Sequence, residues 1–256
     1  MTAAALSADA QNRQPDKAQQ DSILERIKAA AIKYADSLQD FICIESIKRT
    51  KEEGLIKRWQ PLDTEDRELS YFSQKEHYRT LTVNGKPPSQ NNQIKPGYFL
   101  PSGEFGPSLD YVFNPKNSAE FQWGHAEQAG SARLCVFRYR VTQKDGTMMI
   151  YANGDTVHMQ HHGLIYADCD SATLARIQME TEPASVVQNG SKIALGWKID
   201  IRYAMTPISG KEFLLPQQSE EQVRFGGTQT KVEIQFQQYK KYDSSSKVTF
   251  DSDGKR

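Results

Sequence analysis

The sequence predicts an α+β fold that is mainly β. It is a single curved antiparallel sheet, an unclosed barrel, wrapped around an N-terminal amphipathic helix, with one further short helix. Three observations lead there. Ile193, Leu195, Trp197, Ile199, Ile201, Tyr203 and Met205 occupy every second position, with Ala194, Gly196, Lys198, Asp200, Arg202 and Ala204 between them. A period of two places all the apolar members on one face of a strand about 40 Å long, far beyond the common length. A ribbon that is apolar on one side only curls over an apolar partner. The C-terminal part holds three long strands, 192–206, 211–225 and 230–240, joined by Ser209-Gly210 and Gly226-Gly227. Turns that short force antiparallel neighbours. Finally, only one long segment has helical spacing, through Ile23, Ile27, Ala30, Ala31, Tyr34 and Leu38.

Taken in order, residues 1–20 are polar and poor in aromatics and are expected to form a disordered leader. Ala8-Asp9-Ala10 before Gln11 looks like the small-residue end of a secretory signal, although Met1–Leu6 is too short for its apolar region. Ser22 and Glu25 stand at capping-box spacing and start the helix, which ends near Gln39-Asp40. Phe41–Ile47 and Leu55–Trp59 read as strands, and Pro61 with Asp63-Thr64-Glu65-Asp66 reads as a loop. Leu69–Phe72 and His77–Val83 follow as strands, ended by the turn dipeptide Asn84-Gly85 and by Pro87-Pro88. A loop spans 84–104. Pro107 opens a short helix that Asn114-Pro115 stops near Phe113. Strands resume at Glu120–His125, Ala132–Val141, Thr156–Asp168 and Thr173–Thr181, with hairpin signals at Asp145-Gly146 and Asn153-Gly154. A last short strand is expected at Lys247–Phe250. The organisation is one domain over 21–250, with a disordered tail at 251–256.

Composition excludes several functions. The chain has 256 residues, with Lys+Arg and Asp+Glu equal at 32 each. A nucleic-acid partner calls for a basic excess or stripe, and neither exists. No apolar run approaches the length of a membrane span. Cys43, Cys135 and Cys169 match no zinc or redox spacing; lone thiols in strands are usually core residues. In an exported protein one pair is open to disulfide formation, Cys135–Cys169 being the first choice. His158, His161 and His162 cluster, His158 and His162 sharing a strand face, but a third metal ligand and any HExxH pattern are missing. No nucleophile elbow is present, and Pro101–Pro107 lacks the ending of a phosphate loop. Glu104 with Asp110, or Asp168 with Asp170, are acids beside turns and carry almost no information. The expectation is no catalytic residue, no metal and no cofactor.

Several segments resemble a group of uncharacterised bacterial exported proteins. They are Tyr34-Ala35-Asp36-Ser37-Leu38-Gln39-Asp40-Phe41-Ile42-Cys43, Glu76–Pro87, Ser102-Gly103-Glu104-Phe105-Gly106, Phe113-Asn114-Pro115, Ala119-Glu120-Phe121, Phe213-Leu214-Leu215-Pro216 and Tyr239-Lys240-Lys241-Tyr242. That group is similar in layout to the periplasmic lipoprotein carriers, the LolA/LolB-like half-barrels. The resemblance implies an open sheet around an apolar cavity, helices as a lid, and a lipid or acylated protein as partner in the periplasm or otherwise outside the cytoplasm. It implies no catalytic residue. Those carriers often have several lid helices, whereas this sequence offers one long and one short.

One helix cannot fill a trough lined by strands this long, and a leftover apolar concavity suits an apolar ligand. The expected lining is Trp197, Ile199, Ile201, Tyr203, Phe213 and Leu215, with Tyr34 and Leu38 from the lid. The alternative is that all eight are ordinary core. A sensor or protein-interaction module of the envelope, pairing through open strand edges, is the competing function.

Overall fold

The computed structural model describes residues 14–54, 58–73, 75–88, 103–142, 146–152, 155–188 and 190–242. Two α-helices are described, α1 (Lys17–Ser37) and α2 (Pro107–Phe113). The first strands are β1 (Phe41–Glu53), β2 (Gln60–Phe72) and β3 (Lys75–Val83). After α2 come β4 (Glu120–Ala129), β5 (Ala132–Val141), β6 (Met149–Ala152), β7 (Asp155–His158), β8 (His161–Asp168), β9 (Leu174–Thr181) and β10 (Ala184–Gln188). The three long strands are β11 (Ser191–Ile208), β12 (Lys211–Phe225) and β13 (Thr228–Lys241).

One antiparallel sheet runs β3-β2-β1-β13-β12-β11-β9-β8-β5-β4, with β10 also on β11. β3 and β4 lie at its opposite ends, so the barrel is unclosed, as the sequence predicts. The first strand pairs with the last, Phe41 opposite Lys241, and this joins the N-terminal hairpins to the long meander. Period-two alternation fixes which side chains face inward. On β1 these are Phe41, Cys43, Glu45, Ile47 and Arg49, all buried, while Lys48 is exposed.

The differences from the sequence reading have local causes. α1 starts at Lys17 rather than at Ser22, because Asp16 and Gln19 make the capping box: Gln19 N–H donates to Asp16 Oδ1, and Asp16 N–H donates to Gln19 Oε1, both at 2.9 Å. Segment 61–66 belongs to β2 and is not a loop. Its inward acids are held by an inward arginine: Arg49 reaches Asp63 at 3.0 Å and Glu65 at 2.5 Å. Pro61 sits beside a register shift, where β2 has only β1 as neighbour. Thr156–Asp168 is two strands, because Met159 N–H donates to Met148 O and sends β7 into a separate hairpin with β6. β10 carried too little alternation to be read. The Asn84-Gly85 turn forms with φ of 51° and 70°, the conformation asparagine and glycine tolerate best. Segments 55–57, 89–102 and 247–250 lie outside the described residues.

The inner face is covered in two places. α1 and α2 pack over β5, β8, β9 and β11, in a core that includes Ile27, Tyr34, Leu109, Val112, Phe137, Ile165, Ile177, Ile199 and Ile201. Cys135 and Cys169 form a disulfide in this core, and Cys43 is a buried free thiol. Over β1, β2, β12 and β13 a second core is centred on Phe105, whose ring meets Phe41 at 5.0 Å and Phe236 at 5.4 Å. Phe105 belongs to the segment that enters α2, so that one stretch of chain covers both halves.

Candidate functional site

The residues expected to line a cavity divide between the two cores. Ile199, Ile201 and Tyr203 of β11 are buried beneath α1, where Tyr34 meets Tyr203 edge to face at 6.2 Å. Trp197 is only half-buried and stands edge-on to Tyr111 at 6.2 Å. Leu215 is buried, and Phe213 half-buried, in the Phe105 core. Leu38, at the end of α1, touches both cores. Periodicity places Ile199, Ile201 and Tyr203 on one face, but the β11–β12 register slips at Arg202/Tyr203, and beyond it Met205 is exposed while Ile208 and Leu215 are buried in the second core.

Between the two groups lies a polar seam. The register sets Glu45 of β1 opposite Arg67 of β2, and the two form a buried ion pair. Glu221 of β12 stands opposite Ile199 of β11, which leaves it beside Trp197. The Trp197 indole N–H donates to Glu221 Oε2 at 3.0 Å. Glu104 arrives from above, on the segment before α2. Gly103, at φ 94°, turns that segment inward, a conformation that disfavours a side chain. Its N–H donates to Glu76 Oε2 at 2.9 Å, and the Ser108 N–H and hydroxyl both donate to its carbonyl at 3.0 Å. The Tyr203 hydroxyl donates to the Glu104 carbonyl at 3.4 Å. Lining residues and acids are thus tied together by hydrogen bonds.

The electrostatics of this seam are unusual. Glu45, Glu104 and Glu221 are all fully buried. Burial pushes the Glu45 carboxyl up to about 8, against the pull of Arg67 and with Glu104 adding to the rise. It pushes Glu221 up to about 7, opposed by hydrogen bonds from Trp197 and Glu104. Burial holds Glu104 well above the carboxylate range, with Glu221 and Glu76 reinforcing it. Burial also works against the Arg67 charge, but Glu45 outweighs it and the guanidinium stays charged. One guanidinium therefore faces three buried carboxyls, and burial favours the protonated form of each. Among the described residues no N–H or O–H donor reaches either Glu104 carboxylate oxygen, nor Glu221 Oε1 or Glu45 Oε1. Glu104 and Glu221 meet carboxyl to carboxyl, a contact that becomes a hydrogen bond only when one of them carries a proton.

These acids did not stand out as a site in the sequence, yet a signal existed. Glu45 is in phase with Phe41, Cys43 and Ile47, and Glu221 is in phase with Phe213 and Leu215. An acid in phase with an apolar face points into the core. Glu104 gave no such signal, because it stands beside a turn.

The histidines do not come together. His158 ends β7 and its Nδ1–H donates to Gly146 O at 2.8 Å, while exposed His162 on β8 faces Glu182 at 3.3 Å. His161, between them in sequence, is buried with Nε2 3.0 Å from Tyr111 O, and burial lowers its pKa. Among the described residues no group of three or more His, Cys, Asp or Glu is placed to hold a metal. No described helix is long and apolar enough to cross a membrane.

No family model matches the chain, and no curated protein does. Among solved structures it is similar to a DUF1329 family protein from Desulfovibrio piger, at 10% identity and TM-score 0.36, covering 92% of this chain and 96% of the other. It is also similar to a LolA superfamily protein from Nitrosomonas europaea, at 11% identity and TM-score 0.30, covering 88% and 94%. The third is an outer membrane lipoprotein-sorting protein domain from Vibrio parahaemolyticus, at 10% identity and TM-score 0.35, covering 89% and 93%. At such scores the likeness carries nothing about a ligand, whose chemistry has to be read from this chain's own residues.

Proposed function

We propose that this protein is a non-enzymatic carrier outside the cytoplasm, holding a lipid or the acyl chain of a lipoprotein in the concavity of its half-barrel. The observation that supports this most is how α1 is held. Its buried side chains, Ile27 and Tyr34, meet the sheet through apolar contact. Among the described residues, its side-chain hydrogen bonds to the sheet side of the molecule come from Arg26, to the Cys169 and Asp170 carbonyls at one end. At the other end the buried Tyr34 hydroxyl has no hydrogen-bond partner among the described residues. A cover anchored at one end and otherwise greasy can be replaced by an acyl chain with little loss of free energy, since both bury the same kind of surface. The lining would be Trp197, Ile199, Ile201, Tyr203, Phe213 and Leu215, with Tyr34 and Leu38 leaving the trough as α1 lifts. The Cys135–Cys169 disulfide agrees with an oxidising compartment.

Native mass spectrometry of gently purified protein, paired with titration of a fluorescent fatty acid, tests the proposal. Bound acyl lipid, or saturable uptake, is expected. Protein that is empty and ignores the fatty acid overturns it. The open strand edges at β3 and β4 favour a second reading, an envelope sensor or interaction module that pairs with a partner strand. Under that reading a protein, and no lipid, co-purifies from the envelope.

A further inference from the structure

We infer that the ligand's headgroup is a cationic amine, seated between Glu104 and Glu221 where the lined trough meets the polar seam. This rests on the carrier reading and adds the chemical class of the ligand. Three observations carry it. The seam holds three buried carboxyls, on β1, on β12 and on the segment before α2, against the single guanidinium of Arg67. Among the described residues, no N–H donor reaches either carboxyl oxygen of Glu104, nor one oxygen each of Glu45 and Glu221; Glu104 and Glu221 have only the proton between them. Acceptors in such surplus fit a group that brings only donors and positive charge, which is what an ammonium does.

The third observation is position. Trp197 and Tyr203, both expected in the apolar lining, also hydrogen-bond to Glu221 and to the Glu104 backbone. A chain lying along β11 therefore delivers its head to the acids. Aromatic rings at the site add to its attraction for a cation, and Arg67 already sits over the Tyr78 ring at 4.1 Å. The geometry disfavours a metal, because the described acids do not converge as ligands. An ammonium accepts the longer, looser contacts that these carboxyls offer. On binding, it takes the place of the proton shared by Glu104 and Glu221, and the 103–106 segment rides outward to admit it.

The test compares dodecylamine, dodecanol and dodecanoate as competitors of a neutral fluorescent fatty probe, each below its micelle concentration, at pH 7 and low salt. The amine is expected to bind at least tenfold more tightly than the alcohol, with the carboxylate weakest. In the Glu104→Gln/Glu221→Gln double variant the ratio of amine to alcohol affinity should fall to within about threefold, since neither side chain can then ionise to pair with the ammonium while the side-chain shape remains. An amine no better than the alcohol in wild-type protein overturns the inference and leaves the carrier reading standing. So does a preference that survives in the double variant. Binding of none of the three overturns both.

Discussion

Replacing Glu221 by Gln should stabilise the protein at neutral pH and leave it nearly unchanged in mild acid. In the unfolded chain this carboxyl ionises near its ordinary 4.5, whereas burial holds it protonated to about 7 in the fold. A carboxyl whose folded pKa is raised contributes fully below the unfolded value, and that contribution is lost as pH rises toward the folded one. The loss therefore runs from pH 4.5 to about 7 and is flat above. A displacement of this size is worth about 3 kcal/mol at roughly 1.4 kcal/mol per unit. It belongs to the Glu104–Glu221 pair rather than to one residue. Gln has no proton to lose, and its carbonyl can still accept from Trp197. Relieving Glu104 of its acidic neighbour acts in the same direction.

The assay is urea unfolding followed by circular dichroism, for wild type and variant, at intervals from pH 4.5 to 8. The measured quantity is the difference between the two, so the carboxylates held low by ion pairs cancel. Those include Asp200 with Arg176 and Glu65 with Arg49. That difference should be near zero at the acid end and grow to about 3 kcal/mol, a shift of about 6–12 °C in Tm for a chain of this size. Parallel curves for the two proteins would refute the buried-acid reasoning.

Other substitutions probe the frame around the site. Gly163→Ala should abolish soluble folding or cost more than about 3 kcal/mol, because the new Cβ would lie 1.8 Å from the Gln178 carbonyl oxygen on the neighbouring strand; yield and thermal melts check it. Arg49→Ala strands Asp63 and Glu65 without their guanidinium and should cost about 3–5 kcal/mol by urea titration. Replacing Cys135 and Cys169 together by Ala opens a loop of 34 residues and should lose about 3–4 kcal/mol, read as a lowered midpoint that reductant no longer moves. Trp197→Ala separates the two fates of the lining. A fully packed ring costs about 3–5 kcal/mol, and a much smaller loss together with weakened fatty-acid uptake marks a cavity wall.

The long strands were legible because a period of two over many residues has no other solution, and the Pro107–Phe113 helix because proline and Asn-Pro mark both its ends. What failed was local competition. Ser22 and Glu25 have capping-box spacing, but Asp16 and Gln19 form an equivalent pair nearer the N-terminus, and the helix extends to the first one available. Acids at 63–66 look like a loop until Arg49, one strand away, supplies their counter-charge. That contact is non-local, and no window of sequence contains it. Of the expected lining, Ile199, Ile201 and Tyr203 follow one another on β11, so one pattern places them together. Leu215 and Phe213 lie on the adjacent strand but on the far side of the seam. Between Arg202 and Tyr203 β12 carries one extra residue against β11, at Gln217, and strict alternation does not encode a bulge.

The seam also explains why this sheet carries acids where isoleucine would fit. On β1, Cys43 and Ile47 flank Glu45 in phase, and on β12 Glu221 lies between the buried Ser219 and the apolar Val223, so an apolar residue at either position would enlarge the core. Replacing buried charges with apolar side chains is often neutral or stabilising. Keeping three carboxyls here therefore runs against fold stability, and their benefit must lie elsewhere. Glu45 alone is accounted for by Arg67. Among the described residues Glu104 and Glu221 have no ion-pair partner of their own, and they stand where the covering segment, Trp197, Tyr203 and the second core all meet. Under the carrier proposal, a group that costs stability at this junction would sense what enters, and the affinity ratio of amine to alcohol measures whether it does.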